Sequence, residues 1–338
     1  MENRGSMREA EWFAGTEDGW KCVLCPRGCE FEENASGRGM CRIRGVREGI
    51  PYLPGYGECV SLSMDPIEKK PLYHFLPGSR ILSTGPAGCN LTCDFCQNWS
   101  ISQRDGVPTR FVPPRELADL ALSEGSTGIA FTYTEPTIWY EYIADSAPLV
   151  RDRGGAVVMV SNGEVNPKPL KKYLEFTDAW NVDLKSWSSD FYSSHCTGSR
   201  ETVLRTLSIL AASDCHLEVT FLVIPGENDD PEEWREMADW IAEECGKETV
   251  FHISRFFPGY RLKREPTPVR TLTEAREIFS EKLDYVYLGN VSTDFSDTKC
   301  PSCGALCVDR KGWTVSTRGL RDGKCASCGH DLNIVHEL

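Results

Sequence analysis

The sequence predicts an α/β protein: an incomplete barrel of six β–α units and a closing strand, preceded by a cysteine-rich lobe and followed by a small metal-binding knuckle. The prediction rests on three observations. Short apolar runs alternate with helical patterns through the middle of the chain, cysteines gather towards both ends, and chemistry-bearing residues stand just after the apolar runs. Repeated β–α alternation is the pattern of a parallel sheet. An open doubly wound sheet shares that pattern, and periodicity alone does not separate the two.

The strands are expected at 80–84, 128–132, 156–160, 179–184, 217–223, 250–254 and 285–288, and the helices at 114–124, 138–153, 167–176, 201–212, 231–245 and 273–281. Pro114 and Pro231 suit a first helical turn, and Asp230 is placed to cap the helix that Pro231 opens. Cysteine placement divides the chain into a loop-rich lobe at 1–78, the barrel at 79–298 and a terminal ribbon at 299–338. In either sheet architecture ligands bind beyond the C-terminal ends of the strands. Cys89, Cys93 and Cys96 fall there after the first strand, and Glu135 after the second. Ser161 and Asn162 follow the third, Asp183 and Lys185 end the fourth, Pro225 and Gly226 follow the fifth, and Arg255 the sixth.

Composition narrows the function. With 40% hydrophobic and 26% charged residues the 338-residue chain is ordinarily globular. A net charge of −13 argues against nucleic acid as a partner. The basic residues near the C-terminus, among them Lys299, Arg310, Lys311, Arg318, Arg321 and Lys324, read as the solvated face of the knuckle. No apolar run reaches the roughly 18 residues of a membrane span. The first residues hold no apolar signal core, so a cytoplasmic protein without membrane contact is expected.

Sixteen cysteines are many for such a chain, and twelve of them lie in three clusters, counting Cys307 beside the last. With nothing to signal secretion, tight clusters read as metal or iron–sulfur ligands rather than disulfides. Cys59, Cys196, Cys215 and Cys245 stand alone and are expected as small buried hydrophobes.

Cys89, Cys93 and Cys96 form a C-x3-C-x2-C loop. Three thiolates cap three irons of a [4Fe–4S] cube and leave the fourth open, much as a catalytic zinc keeps one position for substrate. The amino and carboxylate groups of S-adenosylmethionine (SAM) could chelate that iron. Reductive cleavage would then give methionine and a 5′-deoxyadenosyl radical that abstracts hydrogen. A structural zinc loop is the alternative, and Phe95, able to pack near adenine and shield a cluster, argues against it.

These stretches resemble the radical SAM superfamily, and more closely the activating enzymes of glycyl-radical proteins and their AmmeMemoRadiSam branch. The resemblance runs through Cys22–Cys25–Cys29, the cluster loop with Gln97–Asn98–Trp99, the Thr132–Thr137 segment, Val160–Gly163, Asn181–Lys185, Leu222–Gly226, His252–Phe256 and the terminal CxxCG pair. It implies an anaerobic oxidoreductase using a [4Fe–4S] cluster and SAM, with an electron donor such as ferredoxin or flavodoxin. Glu135 is implied near the SAM amino group, and Lys185 of the Asp183-x-Lys185 motif at its carboxylate; Ser161 and Asn162 match a Thr–Asn–Gly turn. Tyr133 and Thr134 replace two glycines of the family pattern, Val160 replaces an acid, and Phe257 stands where many relatives carry histidine. No catalytic side chain is assigned beyond the cluster. The substrate is either a glycine of a partner protein or a small molecule modified with AMMECR- and Memo-type partners. A non-catalytic zinc-ribbon binding protein is the alternative from another class.

The duller readings are local. Glu135 could simply open the helix after it, Asp183 and Lys185 could be a turn cap and a solvated strand end, and His252 reads as a hydrogen-bonded core residue. Cys300, Cys303, Cys325 and Cys328 suit structural zinc or a rubredoxin-type iron. Cys22, Cys25, Cys29 and Cys41 could hold zinc or a second Fe–S cluster.

Overall fold

Seven parallel strands lie side by side in the order in which the chain makes them: β1 (Arg80–Thr84), β2 (Ser126–Phe131), β3 (Ala156–Ser161), β4 (Ala179–Asp183), β5 (His216–Val223), β6 (Val250–Arg255) and β7 (Val286–Gly289). The strand Ser63–Pro66 pairs antiparallel with β1 and closes that edge. A doubly wound sheet reverses its strand order part-way; this one never does, which settles the choice in favour of the incomplete barrel. The computed structural model describes residues 8–123, 125–291 and 295–338.

The alternation along each strand separates two environments. On β5, Leu217, Val219, Phe221 and Val223 join Trp234, Met237 and Phe279 of the surrounding helices in one apolar cluster. Burying side chains of that size stabilises the fold by about 1.5–3 kcal/mol each. The residues between them face the other way. Glu218 meets His216 and His252 at 3.0 and 2.6 Å, and the Thr220 hydroxyl donates to Asn181 Oδ1 at 2.9 Å. His252 is therefore the hydrogen-bonded core residue expected. Ile67, Leu72, Phe75 and Leu76 form a second apolar cluster with Ile81, Ala130, Val158 and Ala179 and so fill the barrel interior.

Helices α1 (Pro114–Ala121), α2 (Tyr140–Arg151), α3 (Pro167–Tyr173), α4 (Arg200–Ala211), α5 (Pro231–Glu244) and α6 (Val269–Ser280) fall where predicted, with shifted ends. Pro114 and Pro231 occupy first turns, and the Asp230 carboxylate accepts from Glu232 N at 2.9 Å. The predicted end of α1, Glu124, lies outside the described residues. Residues Pro136–Trp139 form a 3-10 turn ahead of α2. Helix α6 begins four residues before the expected Thr273, because Pro268 sets its start and the Thr273 hydroxyl donates back to Val269 O at 3.1 Å.

The residues before β1 are less irregular than periodicity suggested. They form two small antiparallel sheets, Phe13–Thr16 with Gly19–Cys22 and Glu30–Glu32, and Gly37–Arg38 with Gly45–Arg47 and Ile50–Tyr52. Strands of two to four residues are too short to show a period. After β7, Leu306–Lys311 pairs with Thr298–Lys299 and Thr314–Ser316. Arg310 there departs from the expected solvated face. It is buried, stacked 4.3 Å over the Tyr73 ring and hydrogen-bonded to Tyr73 O, Ser296 O and Thr298 Oγ1. Among the described residues no helix is long and apolar enough to cross a membrane.

Candidate active site

The loop that follows β1 carries Cys89, Cys93 and Cys96 to the C-terminal mouth of the barrel, the first two buried and the third half-buried. Gly88 makes the entry possible. Its φ is +145°, and a Cβ there would stand 2.0 Å from the Cys41 carbonyl oxygen. Leu91 N donates to Cys89 Sγ at 3.3 Å, Asn162 Nδ2 lies 3.6 Å from the same sulfur, and Cys96 Sγ lies 3.4 Å from Ser102 Oγ.

Glu135, Ser161 and Asn162 form one fully connected group. Glu135 is wholly buried; its Oε1 accepts from Thr137 N and from the Thr137 and Ser161 hydroxyls, and its Oε2 accepts from Asn162 N at 2.7 Å. Burial raises its pKa, opposed by these donors. The bond to Thr137 N opens the 3-10 turn, the local role weighed for this residue from sequence. Asn162 Nδ2 also donates to Asn90 Oδ1 at 2.9 Å, so the carboxylate of Glu135 is linked through Asn162 to the cysteine loop. Tyr133, which stands in place of a glycine, keeps a glycine-like backbone with φ +74°. Asn98 Nδ2 donates to its carbonyl at 2.7 Å, its hydroxyl reaches Asp65 Oδ2 at 3.2 Å, and Lys70 lies 5.0 Å over its ring. Such a conformation persists only when the surroundings impose it.

At the end of β4, Lys185 Nζ meets Asp183 Oδ2 at 2.8 Å. Burial would lower the lysine pKa, but the charge and hydrogen bond of the Asp183 carboxylate outweigh it, and Lys185 stays strongly basic. Its backbone is fixed by Tyr192 OH and by Asn228 Nδ2, at 2.9 and 2.8 Å. Phe95 is buried against Phe191, ring centres 5.7 Å apart.

Two neighbours of the loop were not legible. Cys196 is buried as expected but does not stand alone. It ends a π-helical turn, Tyr192–Cys196, its thiol neighbours that of Cys93, and its carbonyl accepts from Thr92 N at 3.0 Å. His195 on the same turn lies 3.0 Å from Asp94 Oδ2 and 3.2 Å from Glu227 Oε2. A lone histidine and cysteine about a hundred residues downstream carry no local signal, although π-helical turns frequently mark functional sites.

The outer cysteines occupy opposite ends of the barrel. Cys22, Cys25, Cys29 and Cys41 adjoin the loop of Cys89, Cys93 and Cys96, with Arg27 Nε donating to Asn90 O at 2.7 Å. The ribbon instead borders the N-terminal edges of the strands, where His330, Asp331 and Asn333 share a cleft with Asp178, His216 and Thr249. There the sulfurs of Cys300 and Cys328 stand 3.6 Å apart and those of Cys303 and Cys325 3.7 Å. All four lie within 4.8 Å of one another, as a metal site requires. Cys307 is buried beside them and donates to Ala305 O at 3.4 Å.

An α/β barrel with three loop cysteines at its mouth defines a class, and comparison with known proteins gives the same one. Residues 85–241 match the radical SAM superfamily. The chain is 39% identical over 337 residues to the uncharacterized protein MJ0808 of Methanocaldococcus jannaschii, covering 97% of this chain and all of that one. It is 26% identical over 119 residues to the (2S)-3-sulfopropanediol dehydratase activating enzyme of Klebsiella oxytoca, covering 35% of this chain and 38% of that one. Its fold is similar to a radical SAM methyltransferase from Sphaerobacter thermophilus, with TM-score 0.50, 13% identity and coverage of 71% and 74%.

The chain belongs to the radical SAM superfamily and is an enzyme. That membership implies a [4Fe–4S] cluster and SAM.

Proposed function

We propose that this enzyme cleaves SAM reductively at a cluster held by Cys89, Cys93 and Cys96, and that it is of the activating type, taking a hydrogen atom from a partner protein. The observation that carries the reading is the loop itself: three thiols at the barrel mouth, with the Lys185–Asp183 pair beside Cys93. The donor set fits the group, since three thiols cap three irons and reserve the fourth. When bound, the cluster supplies one electron that breaks a carbon–sulfur bond of SAM, yielding methionine and a 5′-deoxyadenosyl radical.

The chain's own residues set the geometry. Lys185, held basic by Asp183, offers an ammonium to the SAM carboxylate. Glu135 holds Ser161 and Asn162 in place, and Asn162 aims an N–H at Cys89 Sγ. Phe95 and Phe191 wall off water behind the loop. The likeness to an activating enzyme supports the activating type.

Anaerobic, reconstituted protein with dithionite and SAM should release 5′-deoxyadenosine, and Cys93→Ala should abolish release while the protein stays folded. Release that persists in Cys93→Ala overturns the loop assignment. A radical formed on a glycine-bearing partner supports the activating type; labelled hydrogen delivered only from a small molecule overturns it.

A further inference from the structure

The two outer cysteine sets have different geometry. A single ion with metal–sulfur bonds of about 2.3 Å sets tetrahedral sulfur–sulfur edges of about 3.8 Å. The C-terminal separations of 3.6 and 3.7 Å match such an edge. Among the described residues, that set alone brings three or more metal-ligating atoms within 4.8 Å of one another. Cys22, Cys25, Cys29 and Cys41 are more widely spread, as are Cys89, Cys93 and Cys96. Wide spacing suits a cube that takes each thiolate on a separate iron.

The four N-terminal cysteines line one pocket, together with Arg44 and Asn90. Gly39 leaves room for Cys29, since a Cβ there would stand 3.0 Å from the Cys29 sulfur. Arg44 is 2% exposed, and its terminal nitrogens are engaged by Glu141, Ile138 O and Glu11 O. Its Nε has no acceptor. A buried, unpaired cationic N–H beside four sulfurs points to an anionic metal–thiolate group as its missing partner.

Position adds a use. The Cys41 carbonyl packs on Gly88, next to Cys89. From the pocket, Asn90 reaches Asn162 at 2.9 Å, and Asn162 reaches the Cys89 sulfur at 3.6 Å. The ribbon site lies beyond the other end of the strands. At about 3.3 Å per residue, the four to eight residues of a strand separate the two ends by roughly 13–26 Å.

We propose that Cys22, Cys25, Cys29 and Cys41 bind a second [4Fe–4S] cluster, and that this cluster is the port through which electrons reach the catalytic one. The port role rests on the reading of Cys89, Cys93 and Cys96 given above; the second cluster itself does not. A low-potential one-electron carrier of the ferredoxin or flavodoxin type is oxidised by one electron as the outer cluster is reduced. That electron then passes to the catalytic cluster, and the outer cluster returns to its oxidised state with no bond or proton changed.

The test uses the full chain, reconstituted anaerobically. With Cys89, Cys93 and Cys96 all replaced by Ala, the protein should retain about four irons and four sulfides per chain and a paramagnetic signal on reduction. Wild type should hold about twice as many. A triple variant without iron, or with zinc in its place, overturns the second cluster. In Cys25→Ser/Cys29→Ser, SAM cleavage driven by reduced flavodoxin should fall about tenfold more than cleavage driven by dithionite. An equal fall with both reductants overturns the port. Absence of SAM cleavage in fully loaded wild type would instead count against the reading above and leave the iron count standing.

Discussion

The guanidinium of Arg44 grips the carboxylate of Glu141 with two bonds, Nη1 to Oε2 at 2.6 Å and Nη2 to Oε1 at 2.9 Å, and neither side chain meets solvent. Glu141 lies on α2, so this pair fastens the N-terminal sheets to the barrel. Glu141→Ala leaves a buried cation without its counter-ion and should cost about 3–5 kcal/mol. Glu141→Gln, which keeps an acceptor, should cost less. Urea unfolding of the two variants checks the order.

With a cluster on Cys89 as proposed above, the contact of Asn162 Nδ2 with Cys89 Sγ would have an electrochemical consequence. Hydrogen bonds to cluster sulfurs tune the reduction potential. Asn162→Ala should keep the iron content of wild type, lower the potential and slow 5′-deoxyadenosine release at fixed dithionite. Redox titration followed by paramagnetic resonance reads the shift directly.

His74 ties the segment before β1 to the ribbon, with Nδ1 2.9 Å from Leu332 O and Nε2 2.6 Å from Tyr287 OH. Burial lowers its pKa from 6.5 to about 3. The unfolded chain then binds the proton first as pH falls. Stability contributed by neutral His74 is present above pH 6.5 and is lost down to about pH 3, by up to about 1.4 kcal/mol per unit. His74→Gln should flatten the acid limb of a plot of Tm against pH.

The C-terminal cysteines stand at the opposite end from the chemistry. If these four thiolates hold an ion, as their spacing allows, Cys303→Ser should bind less metal than wild type, lower Tm and expose residues 299–338 to protease. Dithionite-driven SAM cleavage in the surviving folded protein should change little. Metal analysis beside limited proteolysis separates the two effects.

Much of this was legible because the chemistry is written in short spacings. The three-cysteine loop, the residues at strand ends and the terminal CxxC pair each announce themselves within a few positions. The barrel strands were legible because both faces are buried and their runs are mostly apolar, broken only by such residues as Asn181, Glu218, Thr220 and His252. What escaped was long-range. Cys196 and His195 reach the loop from a turn about a hundred residues away, and Arg310 turns inward to stack on Tyr73. Glu135 was expected beside a ligand, and its internal partners Thr137, Ser161 and Asn162 emerge only when two strand ends are brought together.

Strand order in the sheet repeats strand order in the chain, so during synthesis each new strand finds its neighbour already in place. The exception comes last. Val335 N donates to His74 O at 2.8 Å, and Leu76 N donates to Val335 O at 2.6 Å, so a stretch made after the whole barrel clasps the segment just ahead of the first barrel strand. The nascent barrel can therefore grow by short-range pairing alone, and its plug is fastened only when the ribbon arrives. A ribosome stalled within the ribbon would hold a chain with its cysteine loop complete and this clasp still unmade.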